Sequence, residues 1–464
     1  NFRAGVNAGN SIASGGNYNV AVGDEAGTAI TTGDQNVAIG YGAATALTTG
    51  ANIVAIGYLA GDAITTGENN IAIGKNALGA EDTHDFNIAI GSNALAVQNA
   101  GADAYNIAIG HNAGTAVTTG IRNTIVGAEA GDALTDADHN VALGFRALSG
   151  DTKGSKSIAI GDVALFSQNF TTSTSAYNVA IGHEAGNAVT TGVQNTLIGS
   201  LAGDALTDAD FNTVIGMNAL TTDTLGSRST AIGYQALAVQ NFTSATNSYN
   251  VAVGHQAGSE VTTGIQNTII GGLAGTQGTD LTTGNNNILL GYLTGTSAAD
   301  SLNQFVIGVN VSGGENEQIT IGTSAGVVQN EFDTDAAWTR TSDVRLKTDI
   351  ADATLGLDFI NDLRTVTYKW KASNDLDQND PQLEKLYNSE NQMNTTTTMH
   401  GLIAQEVKTA LDTAGVNTFK GWKEDPDGIQ NISREMYVIP LIKALQELSA
   451  KNDALEARIA TLEG

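Results

Sequence analysis

Short apolar triplets recur throughout residues 1–325, and each one ends at a glycine. The motif "NVAVG" ends at Gly23 and "NVAIG" follows it at Gly40. The residue before the motif glycine is Ile, Val or Leu at all eighteen occurrences, and Asn stands four places before it in thirteen. Most successive motif glycines are about 17 residues apart, as Gly23 and Gly40 are. A few steps are longer, and the last step, to Gly322, is shorter. This periodicity predicts a repeat protein in which each unit is one coil.

Each unit can be interpreted as one coil of a β-solenoid. Within the triplet, the two large aliphatic side chains point one way and the small Ala points the other, as in a strand. The motif glycine permits a tight corner, and the "AGTAITTG" half predicts a second short strand. Asn at the same position in successive units should form a ladder. Each side-chain amide would hydrogen-bond within its own turn and to the adjacent coil. We predict a mainly β, parallel β-solenoid of about 17-residue coils over residues 1–325, with neighbouring chains covering an Ala-lined face.

Three longer steps insert extra residues before the motif glycines at 110, 182 and 254. Loops on a rigid solenoid are common places for binding residues. Six aromatic residues in or beside the insertions could stack on sugar rings, or could instead cover the seam between chains or fill the groove above the extra residues: Tyr105, Phe166, Phe170, Tyr177, Phe242 and Tyr249.

Three histidines recur at a constant interval and in identical phase, at His111, His183 and His255. They are four coils apart within one chain, so a single chain cannot bring them together around a metal ion. We expect no metal site and no cofactor.

The sequence changes character after residue 341. Residues 342–464 contain all three prolines, whereas residues 1–341 contain only three lysines. The segment "LGLDFINDLRTVTYKWK" predicts an amphipathic helix followed by a strand, and "HGLIAQEVKTALD" predicts a strand-turn followed by a helix. The last segment has apolar heptads, which predict a coiled coil over 438–463. Its two repeating positions are Val438, Leu445, Asn452 and Ile459, and Leu441, Leu448, Leu455 and Leu462.

Composition excludes several classes of protein. The chain has no cysteine, so disulfides and thiolate metal sites are excluded. The net charge of −27 predicts a surface that repels nucleic acid. No run of about 18 apolar residues is present, so membrane insertion is not expected.

Two resemblances follow from these residues. "SDVRLKTDI", "YKWK", "HGLIAQEV" and the closing "LIKALQEL" resemble the endosialidase-type intramolecular chaperone domain at the C-termini of phage tail fibres and tailspikes. The repeats resemble the heads of trimeric autotransporter adhesins, which are trimeric β-rolls, and the "NTAIG" arrays of phage tail fibres. The chaperone resemblance implies a trimeric domain that aligns three chains and then cuts itself off.

The resemblance also implies site residues. Ser342 and Lys347 match the family's serine and lysine, with scission expected between Thr341 and Ser342. Ser–Lys pairs are a known alternative to Ser–His–Asp triads, provided that the lysine is held neutral. Read alone, the same stretch is a charged strand edge in which Lys347 pairs with Asp349. The remaining residues of the chaperone motif are Asp343, Arg345, His400, Gly401, Gln405 and Glu406.

These observations predict a homotrimeric phage tail-fibre protein for host attachment. Residues 1–325 would form a receptor-binding solenoid, 326–341 a linker to the cleavage site, and 342–464 the self-cleaving chaperone, a small α+β domain that ends in the coiled coil. The expected partners are two further copies of the chain and a host surface receptor, either a glycan or a protein, and the expected location is the virion. The alternative is a trimeric cell-surface adhesin or extracellular filament protein with the same modules. A glycan-cleaving enzyme is disfavoured, because no carboxylate pair stands out.

Overall fold

The computed structural model describes residues 1–331, 342–391, 393 and 395–463. The chain divides into two compact units, Asn1–Thr341 and Ser342–Gly464. Across the described residues, no helix is both long and apolar enough to cross a membrane.

Short strands make up the first unit. In chain order they are β1 (Phe2–Ala4), β2 (Val20–Val22), β3 (Val37–Ile39), β4 (Val54–Ile56), β5 (Ile71–Ile73), β6 (Ile88–Ile90), β7 (Ile107–Ile109), β8 (Thr124–Val126), β9 (Val141–Leu143), β10 (Gly154–Ser155), β11 (Ile158–Ile160), β12 (Thr174–Ser175), β13 (Val179–Ile181), β14 (Thr196–Ile198), β15 (Thr213–Ile215), β16 (Gly226–Ser227), β17 (Thr230–Ile232), β18 (Thr246–Asn247), β19 (Val251–Val253), β20 (Thr268–Ile270), β21 (Ile288–Leu290), β22 (Thr294–Gly295), β23 (Phe305–Val309), β24 (Val311–Ser312), β25 (Gln318–Thr323) and β26 (Gly326–Glu331).

The repeat triplets stack as rungs of one parallel sheet. Each rung pairs in register with the next, so that Ala38 of β3 lies opposite Ala55 of β4, and Ala55 opposite Ala72 of β5. This register repeats from β1 to β25. The predicted mainly β, parallel β-solenoid of about 17-residue coils is therefore confirmed.

Each end of the solenoid has a strand outside the eighteen motif repeats. "NFRAG" supplies an additional first rung, β1, which pairs with β2 although it lies outside the eighteen motif repeats. At the other end, residues 326–331 were expected to begin a linker. They instead form β26, which turns back and pairs antiparallel with β25. The rest of the expected linker, 332–341, lies outside the described residues.

The core of each coil is built on the central residue of the triplet, which is Ala in most coils and a larger side chain in others, such as Leu197. Ala38, Ala43 and Leu47 are completely buried inside their coil. The flanking aliphatic side chains point outward, and Ile109, Leu143 and Leu290 are 38%, 44% and 41% exposed. The expectation that neighbouring chains cover an Ala-lined face was wrong, because Ala faces the interior of its own coil. The outer face of the sheet is aliphatic.

The motif glycines are required by the close approach of successive coils. Gly40 has φ +128°, and a Cβ there would lie 2.4 Å from the carbonyl oxygen of Gly57. Gly57 has φ +137° and meets Gly74 in the same way, at 2.5 Å. Any side chain at this corner would push the coils apart.

The second half of the regular coil differs from the prediction of a second strand. In "AGTAITTG" and its variants the backbone forms consecutive turns, as at Ala26–Ala29. Among residues 1–331, second strands occur only as short pairs in a few coils, β10 with β12, β16 with β18 and β22 with β24. The turns of successive coils are still joined by backbone hydrogen bonds, as from the Thr31 N–H to the Thr48 carbonyl oxygen at 2.9 Å.

The asparagine ladder is present inside the coils. The Asn195 N–H donates to Asn178 Oδ1 at 2.9 Å, and the Asn195 side-chain amide donates to the carbonyl oxygen of Ala209 at 2.7 Å. Asn195 Oδ1 in turn accepts the N–H of Asn212 at 3.0 Å. Each buried side-chain amide thus hydrogen-bonds within its own turn and to the adjacent coil, as predicted.

The second unit mixes short strands with three α-helices. Its elements are a 3₁₀ turn (Val344–Leu346), α1 (Leu357–Asn361), β27 (Val366–Tyr368), 3₁₀ turns Ser373–Asp375 and Glu384–Leu386, β28 (Met399–Gly401), α2 (Ala404–Thr413), β29 (Trp422–Glu424), β30 (Gln430–Ile432), a 3₁₀ turn (Arg434–Tyr437) and α3 (Val438–Glu463). Its small core contains Leu355, Phe359, Val407, Leu411 and Tyr437. The Phe359 ring lies 6.3 Å from that of Tyr437.

Replacing Asn195 with Ala tests the ladder. The substitution removes the acceptor of the buried Asn212 N–H and the donor to Ala209, and each unsatisfied buried group costs about 1–3 kcal/mol. We expect the free energy of unfolding to fall by about 2 kcal/mol or more, measured as a lower denaturant midpoint with an unchanged slope. Asn99→Ala is the control, because Asn99 is exposed and should change the midpoint little. An equal effect of the two substitutions would contradict the ladder.

Candidate functional site

The first residues of the second unit bring Ser342 and Lys347 together. Asp343 caps the 3₁₀ turn at Val344–Leu346, and its Oδ1 accepts the backbone N–H of Arg345 at 2.8 Å. The turn brings the chain back on itself, so Lys347 Nζ donates to Ser342 Oγ at 2.6 Å. The structure therefore pairs the serine with the lysine, whereas Asp349, the alternative partner, takes a bond from the Thr348 hydroxyl.

The Arg345 guanidinium is paired with the Asp343 carboxylate. Its Nε lies 3.0 Å from Asp343 Oδ1 and its Nη2 lies 2.6 Å from Asp343 Oδ2. This forked contact holds the pKa of the Asp343 carboxyl below its usual range. The guanidinium charge is thus largely balanced by Asp343.

The geometry supplies one part of a Ser–Lys site. A hydroxyl hydrogen-bonded to an amine is the arrangement needed for proton transfer from nucleophile to base. The environment is open, because Ser342 and Lys347 are both exposed in a single chain. Lysine acts as a base where burial or a nearby cation favours the neutral amine. Thr341, the other residue of the expected scissile bond, lies outside the described residues.

The remaining chaperone-motif residues lie on β28 and α2. His400 lies opposite Thr367 across the β27–β28 hairpin, beside Gly401. Glu406 in the first turn of α2 forms an ion pair with Arg364, which lowers the pKa of its carboxyl. Gln405 precedes it on the same helix. Within the described residues, no hydrogen bond joins these residues to Ser342 or Lys347.

An apolar pocket of about 700 Å³ adjoins this hairpin. Its lining includes Ile360, Val366, His400, Tyr437 and Leu441. Leu441 belongs to α3, whose other heptad leucines are largely exposed, with Leu445 at 68% and Leu455 at 55%. The second unit thus presents apolar surface along its last helix that its own core does not cover.

The six aromatic residues near the insertions differ in how far they are buried. Phe170 and Phe242 are buried, each only 6% exposed. Phe170 packs over Gly154, where an added Cβ would come within 2.8 Å of its ring, and Phe242 packs over Gly226 in the same way. These two rings hold the inserted segments onto the coil and are not available to a receptor. Phe166 is partly buried.

The three tyrosines of the set are exposed. Tyr105, Tyr177 and Tyr249 are 48%, 52% and 51% exposed. Each immediately precedes a ladder asparagine, so they occupy equivalent places on three different coils. They remain available for contact with a ligand.

The inserted coils also contain a buried acid network that the sequence analysis missed. Asp151 accepts a bond from Gln168 Nε2 at 2.6 Å and from the N–H groups of Gly154 and Phe170, each at 3.0 Å. Gln168 Oε1 in turn accepts the Asn178 amide at 2.8 Å. Burial raises the pKa of the Asp151 carboxyl. The signal available in the sequence was a Gln placed one full repeat after the Asp.

An equivalent network recurs farther along the chain, around a second buried aspartate. Asp223 accepts bonds from Gln240 Nε2 at 2.6 Å, from Gly226 N–H at 3.0 Å and from Phe242 N–H at 3.1 Å. Burial raises the pKa of its carboxyl too. The insertions are therefore anchored segments with a defined structure.

One side-chain group in the described residues has the composition of a metal site. Ligand atoms of Glu81, Asp82 and His84 lie within 4.8 Å of one another. The buried Glu81 carboxylate already accepts from Gln98 Nε2 at 3.1 Å and contacts His84 Nδ1 at 2.8 Å. The group therefore resembles the two Asp–Gln networks, with the acid fixing the fold of its coil.

Comparison with known proteins finds a family that part of the second unit resembles. Residues 342–416 match the family model described as the chaperone of endosialidase. Searches of curated proteins and of solved structures found no match. The matched segment begins at Ser342, the first residue of the second unit. Together with the β-solenoid, it fits a tailspike-like protein with a C-terminal chaperone domain.

Substitution of Asp223 by Ala tests the role of the acid networks. It would leave the N–H groups of Gly226 and Phe242 without their acceptor, and the Gln240 amide with Ser229 Oγ as its remaining acceptor. We expect a loss of about 2–4 kcal/mol in stability and faster proteolysis within 243–247, since buried unpaired donors are costly. The exposed Asp162→Ala is the control. A protease-resistant insertion in Asp223→Ala would contradict this anchoring role.

Proposed function

We propose that this chain is a homotrimeric phage tail-fibre or tailspike protein for host attachment. Its C-terminal unit would align three chains, let the solenoid fold, and then cut the Thr341–Ser342 bond. One observation carries the cleavage proposal: the family match begins at Ser342, the residue whose hydroxyl oxygen accepts a bond from Lys347 at 2.6 Å.

The proposed reaction is a single turnover within one chain. Ser342 Oγ attacks the carbonyl carbon of Thr341 while its proton passes to Lys347 Nζ. The C–N bond then breaks, the Ser342 amine takes a proton, and the resulting ester is hydrolysed by water. Because nucleophile and scissile bond belong to the same chain, proximity replaces substrate binding.

The exposure of Ser342 and Lys347 supports a link between assembly and cleavage. Burial of the lysine is a general route to the neutral amine, and a single chain leaves both side chains exposed. We infer that packing of three second units supplies the missing cover. Cutting would then follow assembly and make folding effectively irreversible.

Two apolar surfaces support self-association. The outer face of the solenoid sheet carries columns of Val, Ile and Leu, and α3 carries a stripe of exposed leucines. Monomeric soluble proteins rarely leave such continuous apolar surface exposed. A further copy of the same chain suits both surfaces, because identical coils and identical heptads can align side by side.

Cleavage is tested on a denaturing gel with Ser342→Ala and Lys347→Met. The wild type should yield the C-terminal fragment Ser342–Gly464, and both variants should stay uncut. Lys369→Met, at another exposed lysine of the same unit, is the matched control and should be cut like wild type. An uncut wild type, or cut variants, would refute the proposal.

Trimer formation is tested by placing charge in the heptads of α3. Leu448→Asp with Leu455→Asp should abolish the trimer in light scattering and also prevent cleavage, since buried unpaired charge is strongly unfavourable. Lys451→Asp adds charge to the same helix outside the two apolar heptad positions and should leave the trimer intact. A trimer that survives the double substitution would show that α3 does not assemble the chains.

A further inference from the structure

A column of unusual side chains runs along the solenoid at the position just before the asparagine ladder. On ten consecutive rungs, from β6 to β19, this position carries no acidic residue and only one residue that is neither aromatic nor basic. We call these ten residues the aromatic–basic ladder: Phe86, Tyr105, Arg122, His139, Lys156, Tyr177, Gln194, Phe211, Arg228 and Tyr249. All ten side chains are exposed.

The backbone alone does not explain these residues. All ten have a left-handed φ between 50° and 64°, a region that Gly and Asn tolerate and bulky side chains disfavour. Other coils place Asn at this position, as at Asn52, Asn69 and Asn286. Large rings or long cations therefore occupy nine of these ten left-handed positions, where Asn would be easier.

Neighbouring ladder side chains contact one another on several rungs. The rings of Phe86 and Tyr105 stack with centroids 5.1 Å apart and planes 3° apart. Lys156 Nζ lies 5.0 Å from the centre of the Tyr177 ring and 3.1 Å from its hydroxyl oxygen. Farther along, Arg228 lies over Phe211 at 4.6 Å and near Tyr249 at 5.9 Å. These contacts fix ring faces and cations in place before a ligand arrives.

The charge of the ladder is opposite to that of the chain. The protein carries a net charge of −27, and residues 1–331 contain only seven Lys and Arg. Three of the seven, Arg122, Lys156 and Arg228, belong to the ladder. Nearby acids are engaged elsewhere, because Asp138 accepts the N–H of Ile121 at 2.8 Å and Asp210 that of Val193 at 2.7 Å.

The spacing of the cations limits the class of ligand. Arg122 and Lys156 are two rungs apart, and Lys156 and Arg228 are four rungs apart. Since neighbouring strands are about 4.8 Å apart, the cations recur at about 10 Å and about 19 Å. A nucleic acid strand carries a phosphate on every nucleotide and would be repelled by the acidic surroundings. A polysaccharide with one acidic group in every two to four sugars matches the spacing, and its rings can stack on the aromatic faces.

We propose that the aromatic–basic ladder binds an acidic polysaccharide that lies along the solenoid. Sugar rings pack on the exposed aromatic faces, and carboxylates or sulfates pair with Arg122, Lys156 and Arg228. This proposal rests on the proposed host-attachment function and names the class of its receptor. It includes Tyr105, Tyr177 and Tyr249 of the expected receptor residues, but neither Phe170 nor Phe242.

The test uses the full-length protein on beads coupled to hyaluronate, which has one carboxylate in every two sugars, and on beads coupled to neutral dextran. We expect retention on hyaluronate at low salt, release at about 0.5 M salt through screening, and no retention on dextran. The variant Arg122→Glu/Lys156→Glu/Arg228→Glu should bind hyaluronate at least tenfold more weakly. The variant Tyr105→Ala/Tyr177→Ala/Tyr249→Ala should also bind about tenfold more weakly, with the salt dependence retained.

A matched control changes the net charge equally elsewhere on the solenoid. Lys75→Glu/Arg146→Glu/Lys153→Glu should bind within about threefold of the wild type if the ladder is the site. Equal losses in the two charge variants, or a wild type that hyaluronate does not retain, would overturn the proposal. Tighter retention on single-stranded poly(dT) would overturn it in favour of nucleic acid.

Light scattering on the same variants separates the ladder from a chain-to-chain interface. Ladder variants should keep the oligomeric state of the wild type, and loss of that state would assign the ladder to assembly and overturn the proposal. Failure of self-cleavage or of trimer formation in the wild type contradicts the proposed function instead. Retention on hyaluronate is measured separately from self-cleavage and trimer formation. A failure of polysaccharide binding can therefore be told apart from a failure of the proposed function.

Discussion

The close stacking of one coil on the next is the constraint on which the rest of this protein depends. At the corner of each rung the backbone of the following coil approaches so closely that a Cβ on Gly40 or Gly57 would collide with a carbonyl oxygen. The buried asparagines then connect the coils through their amides, as Asn195 does with Asn178 and Asn212. No coil satisfies its own polar groups alone, so the unit of stability is the stack.

That stack has an uneven distribution of apolar surface. The central residue of each repeat triplet points into its coil, where it is completely buried whether it is small, as at Ala38, or large, as at Ile125 and Leu197. The aliphatic side chains on either side of it lie on the outer face, where water is a poor solvent for them. This outer face favours contact with another apolar surface. The exposed leucines of α3 give the second unit an apolar surface too.

Repetition also creates a hazard during folding. Because successive coils resemble one another, two chains could pair one coil out of register with little loss of contact. A separate unit that aligns the chains first would remove this ambiguity, which gives a physical reason for attaching a chaperone-of-endosialidase domain to a repetitive solenoid. The Ser342–Lys347 hydrogen bond at the start of that domain lies where release would be needed.

Much of this protein follows from the sequence alone. The repeat period, the strand triplets, the asparagine ladder and the chaperone motif are local patterns, so they predicted the solenoid, its interior amides and the class of the second unit. The pairing of Ser342 with Lys347 followed from a family resemblance, since the stretch by itself also suits a charged strand edge in which Lys347 pairs with Asp349. Tertiary structure decided which face of each strand points inward, because an alternating pattern does not say which side has room. It also separated the buried Phe170 and Phe242 from the exposed Tyr105, Tyr177 and Tyr249, and revealed the aromatic–basic ladder, whose members become neighbours only when coils stack.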